Sequence, residues 1–262
     1  MAPQAYVAPV VDSSAVFKND IFKGKVLFCT GGGSGICKGM TEAVMRHGAN
    51  ATIVGRKLDR LNASAAELSK ITGRQCLAAQ ADVREPEQLK SAVAKTIEKF
   101  GRIDFVICGA AGNFLVPISG LSEKGFKTVI DIDTLGSYNT IKATLDHIRA
   151  SKGAYIHVSA TLHYKGTPYQ VHVSAAKAAV DATSAVLAVE EGPHPTSRSG
   201  ARGHLHDIAN ATVFLFSGAA SWVTGQVLPV DGGSEHLRQF LLPYPEAVLD
   251  PEGVKELIKP RL

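Results

Sequence analysis

The run Thr30-Gly31-Gly32-Gly33-Ser34-Gly35-Ile36-Cys37 has the residue types needed to hold a phosphate group. Glycines let a chain turn tightly and bring backbone N–H groups against a pyrophosphate, and a helix opening directly after them adds the positive end of its dipole. A glycine-rich run alone is equally well an ordinary turn. Its place between the first apolar strand and the first amphipathic helix favours a nucleotide loop. The second apolar strand then ends Ile53-Val54-Gly55-Arg56-Lys57, where a site for NAD would carry an acid on the ribose 2′-hydroxyl. Arg56 suits a 2′-phosphate by bidentate hydrogen bonding and Lys57 as a point charge, so the pair predicts NADP(H) over NAD(H). A solvated pair of surface cations is the plainer alternative.

Composition narrows the rest. The chain has 262 residues, 45% hydrophobic and 20% charged, which is enough to bury one large core. Its net charge of +4 comes from Lys and Arg scattered among acids, without the dense basic runs of a nucleic-acid tail, so no nucleic-acid partner is expected. The four cysteines, Cys29, Cys37, Cys76 and Cys108, show no metal-ligand spacing and read as reduced residues in or near the core, with no metal site. No apolar run approaches the roughly 20 residues of a membrane span. The opening residues lack the basic stretch of a secretory signal, and the expectation is a soluble intracellular protein.

The elements that must position these residues alternate between two patterns. Short apolar runs at Lys25 to Cys29, Ala51 to Val54 and Phe105 to Cys108 read as strands. Amphipathic stretches at Met40 to His47 and Leu58 to Ser69 read as helices between them. Further on, Ser122 to Arg149 reads as one long helix, Tyr155 to Ser159 as a strand, and Ser174 to Val189 as an alanine-rich helix. This βαβ alternation predicts an α/β fold, a doubly wound parallel sheet of Rossmann type in a single domain. The domain is expected over 22–236, with an N-terminal extension at 1–21 and a tail at 237–262. The alanine-rich helix face fits either a homo-oligomer contact or packing on its own sheet.

Taken together, TGGGSGI at 30–36, Asp82-Val83 after the third strand, Ala110-Ala111-Gly112 after the fourth and Val230-Asp231-Gly232-Gly233 resemble the short-chain dehydrogenase/reductase family. The resemblance runs from Phe22 to Gly233. It implies that Gly31, Gly33, Ser34, Gly35 and Ile36 surround the cofactor phosphates and that Asp82 and Val83 contact adenine. It also implies that Ala111 and Gly112 lie along the cofactor and that Lys177 binds the nicotinamide ribose. Two departures from the family pattern concern the chemistry. Val173 stands four residues before Lys177, where most members have the proton-donating Tyr, and Asp133 stands where the family usually has Asn. Carbonyl reduction by the usual Tyr route is therefore not expected.

Three further stretches, Ala110 to Leu115, Asp131 to Thr134 and Ser159 to Leu162, resemble the peroxisomal 2,4-dienoyl-CoA reductases in particular. That likeness implies an acyl-CoA substrate, hydride delivery from NADPH to C5 and protonation at C2 to leave a 3-enoyl-CoA. Such chemistry needs an oxyanion partner and a held acid or water, roles open to Lys177 with Asp133 and to Ser159. Arg84 is a candidate for a CoA phosphate and Phe114 for the acyl chain. Plainer roles stay open: Lys177 and Asp133 as helix-surface charges, Ser159 as a backbone-binding hydroxyl, Arg84 and Phe114 as ordinary surface residues, and Tyr164 as an unconstrained loop residue.

After Glu190-Glu191-Gly192-Pro193 the family runs into a sixth strand and a substrate-covering segment, for which this sequence has no residues before Asp207-Ile208-Ala209. The chain ends Pro260-Arg261-Leu262, a basic-then-Leu pattern like that of the peroxisomal address, with the cytoplasm as the alternative. Three functions remain in view: a dienoyl-CoA reductase, a reductase of another enoyl or carbonyl substrate, and a catalytically impaired NADP-binding protein.

Overall fold

The computed structural model describes residues 12–191 except 165, together with 211, 214, 216, 218–220, 223 and 228. The segment beyond Pro193, the motif Val230 to Gly233, the tail and most of the N-terminal extension lie outside the described residues.

Five parallel strands form one sheet in the order β3-β2-β1-β4-β5. They are β1 (Val26–Thr30), β2 (Asn50–Gly55), β3 (Cys76–Gln80), β4 (Phe105–Cys108) and β5 (Ala154–His157). The helices α1 (Gly35–Arg46), α2 (Leu58–Thr72), α3 (Pro86–Phe100), α4 (Glu123–Ile130), α5 (Gly136–Ser151) and α6 (Val171–Glu191) connect and cover them. β1 is buried along its whole length, as expected of a central strand covered on both faces. Because strand side chains alternate, Leu27 and Cys29 pack with Met45, Ile53, Leu61 and Leu68 on one face. Phe28 enters the opposite core with Leu89, Val93, Val106, Ile141 and Ile148. The doubly wound arrangement expected from the sequence is thereby present. Among the described residues, no helix is long and apolar enough to cross a membrane, and no cluster of His, Cys, Asp and Glu can hold a metal ion.

Several element boundaries differ from expectation, α1 beginning at Gly35 and not Met40 among them, and three bear on the site. The helix expected over 122–149 is a helical run from Glu123 to Ser151 that widens into a π-turn at Asp131–Leu135. Such widened turns are rare and recur at functional sites, and this one carries Asp133. A side chain at Gly136, just after the turn, would lie 2.5 Å from Val83 Cγ2, so glycine lets the helix approach the end of the sheet. The last helix begins at Val171, not Ser174, and β5 stops at His157, so Ser159 lies beyond the strand. β5 is the edge strand among the described residues, and Ile156 on it is half exposed.

Asp104, wholly buried just before β4, joins the bottoms of two strands. It accepts hydrogen bonds from Arg102 Nε (2.7 Å) and Nη2 (2.6 Å), Lys25 Nζ (3.0 Å) and the Val26 N–H (3.0 Å). Burial alone pushes its carboxyl up, but the hydrogen bonds from Arg102, Lys25 and Val26 outweigh burial and hold it below its ordinary value. A carboxyl depressed in the folded state contributes stability that is present above its unfolded pKa and is lost as pH falls through the folded one. Asp104→Asn is therefore expected to lower Tm at neutral pH and to lessen the fall in Tm below about pH 4. Scanning calorimetry from neutral to acid pH checks it, and parallel curves for the two proteins would refute it.

Candidate active site

The strand order reverses at β1, whose two neighbours are β2 and β4, and ligands of doubly wound sheets bind at the carboxyl end of that switch point. A cleft of about 650 Å³ opens there. Its floor is the glycine loop. Gly31 has φ +74°, and a side chain on it would meet Gly109 O at 2.6 Å, so both conformation and space require glycine. Its N–H donates to Val54 O at 2.8 Å, and Ser64 Oγ donates to Gly33 O at 2.9 Å, fixing the loop to β2 and α2. Thr30 Oγ1 accepts from the Gly109 N–H at 3.1 Å and joins the tips of β1 and β4. Ser34 is the N-cap of α1, yet its hydroxyl makes no capping bond and is free for a ligand oxygen. Gly35 and Ile36 follow on the same rim. Gly31→Ala is expected to weaken NADPH binding at least tenfold and to lower Tm, because left-handed strain adds to the clash. Cofactor titration with thermal melts measures both, and wild-type affinity would remove the loop from the site.

Arg56 and Lys57 line the same cleft at its β2 end, together with Arg60, which the sequence reading missed. The signal was its place in the first turn of α2, directly after Arg56 and Lys57. Three cations around one end, a helix N-terminus and a glycine cradle suit the phosphates of a nucleotide. Asp82 and Val83 form one wall of the cleft with Ala81, Ala110 and Ala111. Asn139 Nδ2 donates to Val83 O at 3.0 Å and braces that wall from α5, a second residue the sequence reading missed. Arg84 folds back on Asp82, with Nε 3.0 Å from Oδ1 and Nη2 2.6 Å from Oδ2. The hydrogen bond from Arg84 holds the Asp82 carboxyl below its ordinary value, and a CoA phosphate would have to compete with that carboxylate for Arg84.

Cys37, the third residue of α1, is a buried thiol lining the cleft. A hydrogen bond with Cys29 and the charge of Lys177 lower its pKa to about 7. Alkylation by iodoacetamide should therefore accelerate as pH rises through 7 and slow severalfold when NADPH covers the cleft. Mass spectrometry of the modified peptide follows it, and equal labelling with and without cofactor would count against occupancy of this cleft.

Asp133 and Lys177 meet deep in the fold. The carboxylate, buried in the π-turn, accepts from the Gly112 N–H at 2.8 Å through Oδ1. Oδ2 faces Lys177 Nζ at 3.0 Å in an ion pair without accepting a directed hydrogen bond. Lys177 Nζ also donates to Val158 O at 2.9 Å, just past β5. Thr134 Oγ1, donating to Ala176 O at 3.2 Å, pins the π-turn to α6. Neither charge is a helix-surface residue. Val173 sits where a phenol would be expected and is buried with Val129 and Ala176, an apolar plug with no proton to give.

Ser159 Oγ is buried without a hydrogen-bond partner, which leaves it without the backbone bond considered for it. With Thr161, Tyr164, Asp181 and Ser184 it lines a second cavity of about 520 Å³ between the end of β5 and α6. Phe114 is partly exposed beyond β4, with its ring stacked on His172. The sequence thus brings Asp133, Lys177 and Gly112 into contact, while Ser159 opens into the neighbouring cavity.

Residues 25–196 match the family model described as short chain dehydrogenase, and residues 194–235 match one described as enoyl-(acyl carrier protein) reductase. A curated relative, the peroxisomal 2,4-dienoyl-CoA reductase SPS19 of Saccharomyces cerevisiae, is 44% identical across 89% of this chain and 92% of its own. The Danio rerio peroxisomal 2,4-dienoyl-CoA reductase is 40% identical across 84% of each chain. The yeast alignment is 272 positions long, more than the 262 residues of this chain, so this sequence lacks residues that the relative has. Among solved structures, a short chain dehydrogenase from Bacillus anthracis superposes with a TM-score of 0.64 at 32% identity, covering 85% of this chain and all of the other. An alcohol dehydrogenase from Thermococcus sibiricus complexed with 5-hydroxy-NADP superposes with a TM-score of 0.62 at 28% identity, covering 66% of this chain and 73% of the other. Sheet order, glycine loop, family model and relatives agree, and the chain belongs to the short-chain dehydrogenase/reductase family.

Proposed function

We propose that this protein reduces 2,4-dienoyl-CoA thioesters to 3-enoyl-CoA with NADPH, in the breakdown of unsaturated fatty acids. The observation that carries this reading is the buried Asp133–Lys177 pair beside an apolar Val173. A ketone reductase of this family would need a phenol at that place, whereas a conjugated thioester does not. NADPH supplies the hydride when bound. A C2=C3–C4=C5 acyl thioester becomes a C3=C4 product by gaining hydride at C5 and a proton at C2, with negative charge passing through the thioester oxygen.

The chain's residues do the rest. Gly31, Gly33, Ser34, Gly35 and Ile36 hold the pyrophosphate. Arg56, Lys57 and Arg60 hold the 2′-phosphate, and Asp82, Val83, Ala111 and Gly112 line the adenosine and nicotinamide halves. Lys177 orients the nicotinamide ribose and, with its positive charge, stabilises the thioester oxyanion. Asp133 holds the ammonium in place and keeps Gly112 against the cofactor, so that a water at the pair can protonate C2. Ser159, Arg84 and Phe114 take the substrate side, Phe114 against the acyl chain. The relatives named as peroxisomal support residence in the peroxisome, and the alanine-rich α6 supports assembly as a homo-oligomer.

The test is oxidation of NADPH with 2,4-hexadienoyl-CoA, with the product identified by mass spectrometry. Turnover to 3-enoyl-CoA is expected, and activity confined to ketones or aldehydes would overturn the proposal. A second reading, a catalytically impaired NADP-binding protein, is favoured by one observation, the residues that this chain lacks beside its yeast relative. Micromolar NADPH binding without turnover of any acyl-CoA would establish it instead.

A further inference from the structure

Two loops that lie far apart in sequence are joined at three points beside the catalytic pair. Asn113 Nδ2 donates to Gln170 Oε1 at 2.8 Å, and the Val116 N–H donates to Tyr169 O at 3.1 Å. Between them, His172 Nε2 lies 3.0 Å from Phe114 O, and the two rings stack with centroids 4.4 Å apart and planes 25° from parallel. A carbonyl oxygen only accepts, so Nε2 carries the imidazole proton. The ring is wholly buried and Nδ1 has no partner, so the one hydrogen bond of this imidazole goes to the Phe114 backbone. Tyr169 holds φ +66°, a left-handed conformation uncommon for a residue with a side chain and found where surrounding contacts enforce it.

The loop so held begins at Gly112, whose N–H touches Asp133. It carries Phe114, Leu115 and Ile118 outward, and Tyr169 adds a further exposed ring from the other loop. Exposed apolar side chains gathered at the ligand end of a sheet mark a binding surface for something apolar.

We propose that His172 is a positioning residue that clamps Phe114, and that the strap made by residues 113–116 and 169–172 is the wall that selects acyl chain length. This inference rests on the dienoyl-CoA reading and deepens it. The strap meets the part of the substrate beyond the diene, because its near end at Gly112 already contacts the catalytic carboxylate and its far end carries the exposed apolar residues. Losing the clamp loosens the wall without touching the hydride or proton donors.

The experiment compares 2,4-hexadienoyl-CoA with 2,4-decadienoyl-CoA in the full chain. His172→Phe keeps ring and volume but loses the hydrogen bond, and Gln170→Ala removes the exposed Asn113 tie in case the buried variant does not fold. Both are expected to raise KM for the ten-carbon substrate about fivefold to tenfold, the size of effect when one hydrogen bond is lost. KM for the six-carbon substrate and kcat for both should stay within about twofold, and NADPH affinity should not change. His172→Gln, whose amide N–H still reaches a carbonyl, should restore chain-length selection. Equal KM increases for the two substrates, or a fall in kcat with KM unchanged, would overturn the inference. Acyl-CoA binding by calorimetry reads the same selectivity without turnover. Wild-type protein that binds with chain-length preference but does not reduce either substrate would refute the reductase reading and leave the strap standing.

Discussion

Replacing Lys177 with methionine is expected to lower kcat for 2,4-hexadienoyl-CoA by about 10³, and Asp133→Asn by about 10², the usual range for removing an oxyanion or proton-handling group. The pair lies buried, with the two side chains 8% and 0% exposed, so each single variant also leaves an uncompensated polar or charged partner in a medium that solvates it poorly. That cost is about 3–5 kcal/mol for a broken buried pair, so thermal melts must accompany the kinetics. The double variant Lys177→Met/Asp133→Asn separates the two effects. It removes both charges, should recover part of the lost stability, and should be no slower than Lys177→Met, because residues that work as a unit are not additive in their loss. Stopped-flow NADPH oxidation below the melting temperature of each variant measures it. Single variants that keep a tenth or more of wild-type kcat would show that the pair is structural.

The second large effect concerns the cofactor. Arg56→Ala/Lys57→Ala is expected to raise KM for NADPH by about 10², since each charged contact to a phosphate is worth about 1.5–3 kcal/mol, discounted here for exposure. KM for NADH should move by less than about threefold, because its ribose carries no phosphate for these side chains to meet. Arg60→Ala should weaken NADPH alone by a smaller factor, as the third cation of the same end. The selectivity should also fall as salt rises toward molar concentration, where the screening length shrinks to about 3 Å. Fluorescence titration with the two cofactors tests all of this. Parallel weakening of NADH and NADPH would mean that the cations hold the pyrophosphate or the fold, not the 2′-phosphate.

Much of the architecture was legible because it depends on short-range patterns. Strand β4 lies at Phe105–Cys108, where its apolar run predicts it, and β1 and β2 differ from expectation only at their ends. Helix ends were less legible. The start of α6 at Val171 depends on Tyr169, held left-handed by its place in the strap, a contact between loops over fifty positions apart. The π-turn was not legible at all. The weak helix formers Asp, Ile and Thr in Asp131-Ile132-Asp133-Thr134-Leu135 lower helix propensity without specifying a wider turn, and the widening lies where Asp133 turns inward to Lys177 and Gly112 and Thr134 reaches Ala176.

By itself the sequence determined the doubly wound class, the glycine-rich turn after β1, the pair of cations after β2 and the absence of the phenol at Val173. These follow from residue type and spacing within a single βα unit or helix. Only the tertiary structure decided that Asp133 and Lys177 form one buried pair, that the Gly112 N–H meets that carboxylate, and that His172 packs on Phe114. Each of these is a distance between elements far apart in sequence, set by how helices pack across the sheet, and no local pattern of residues encodes it.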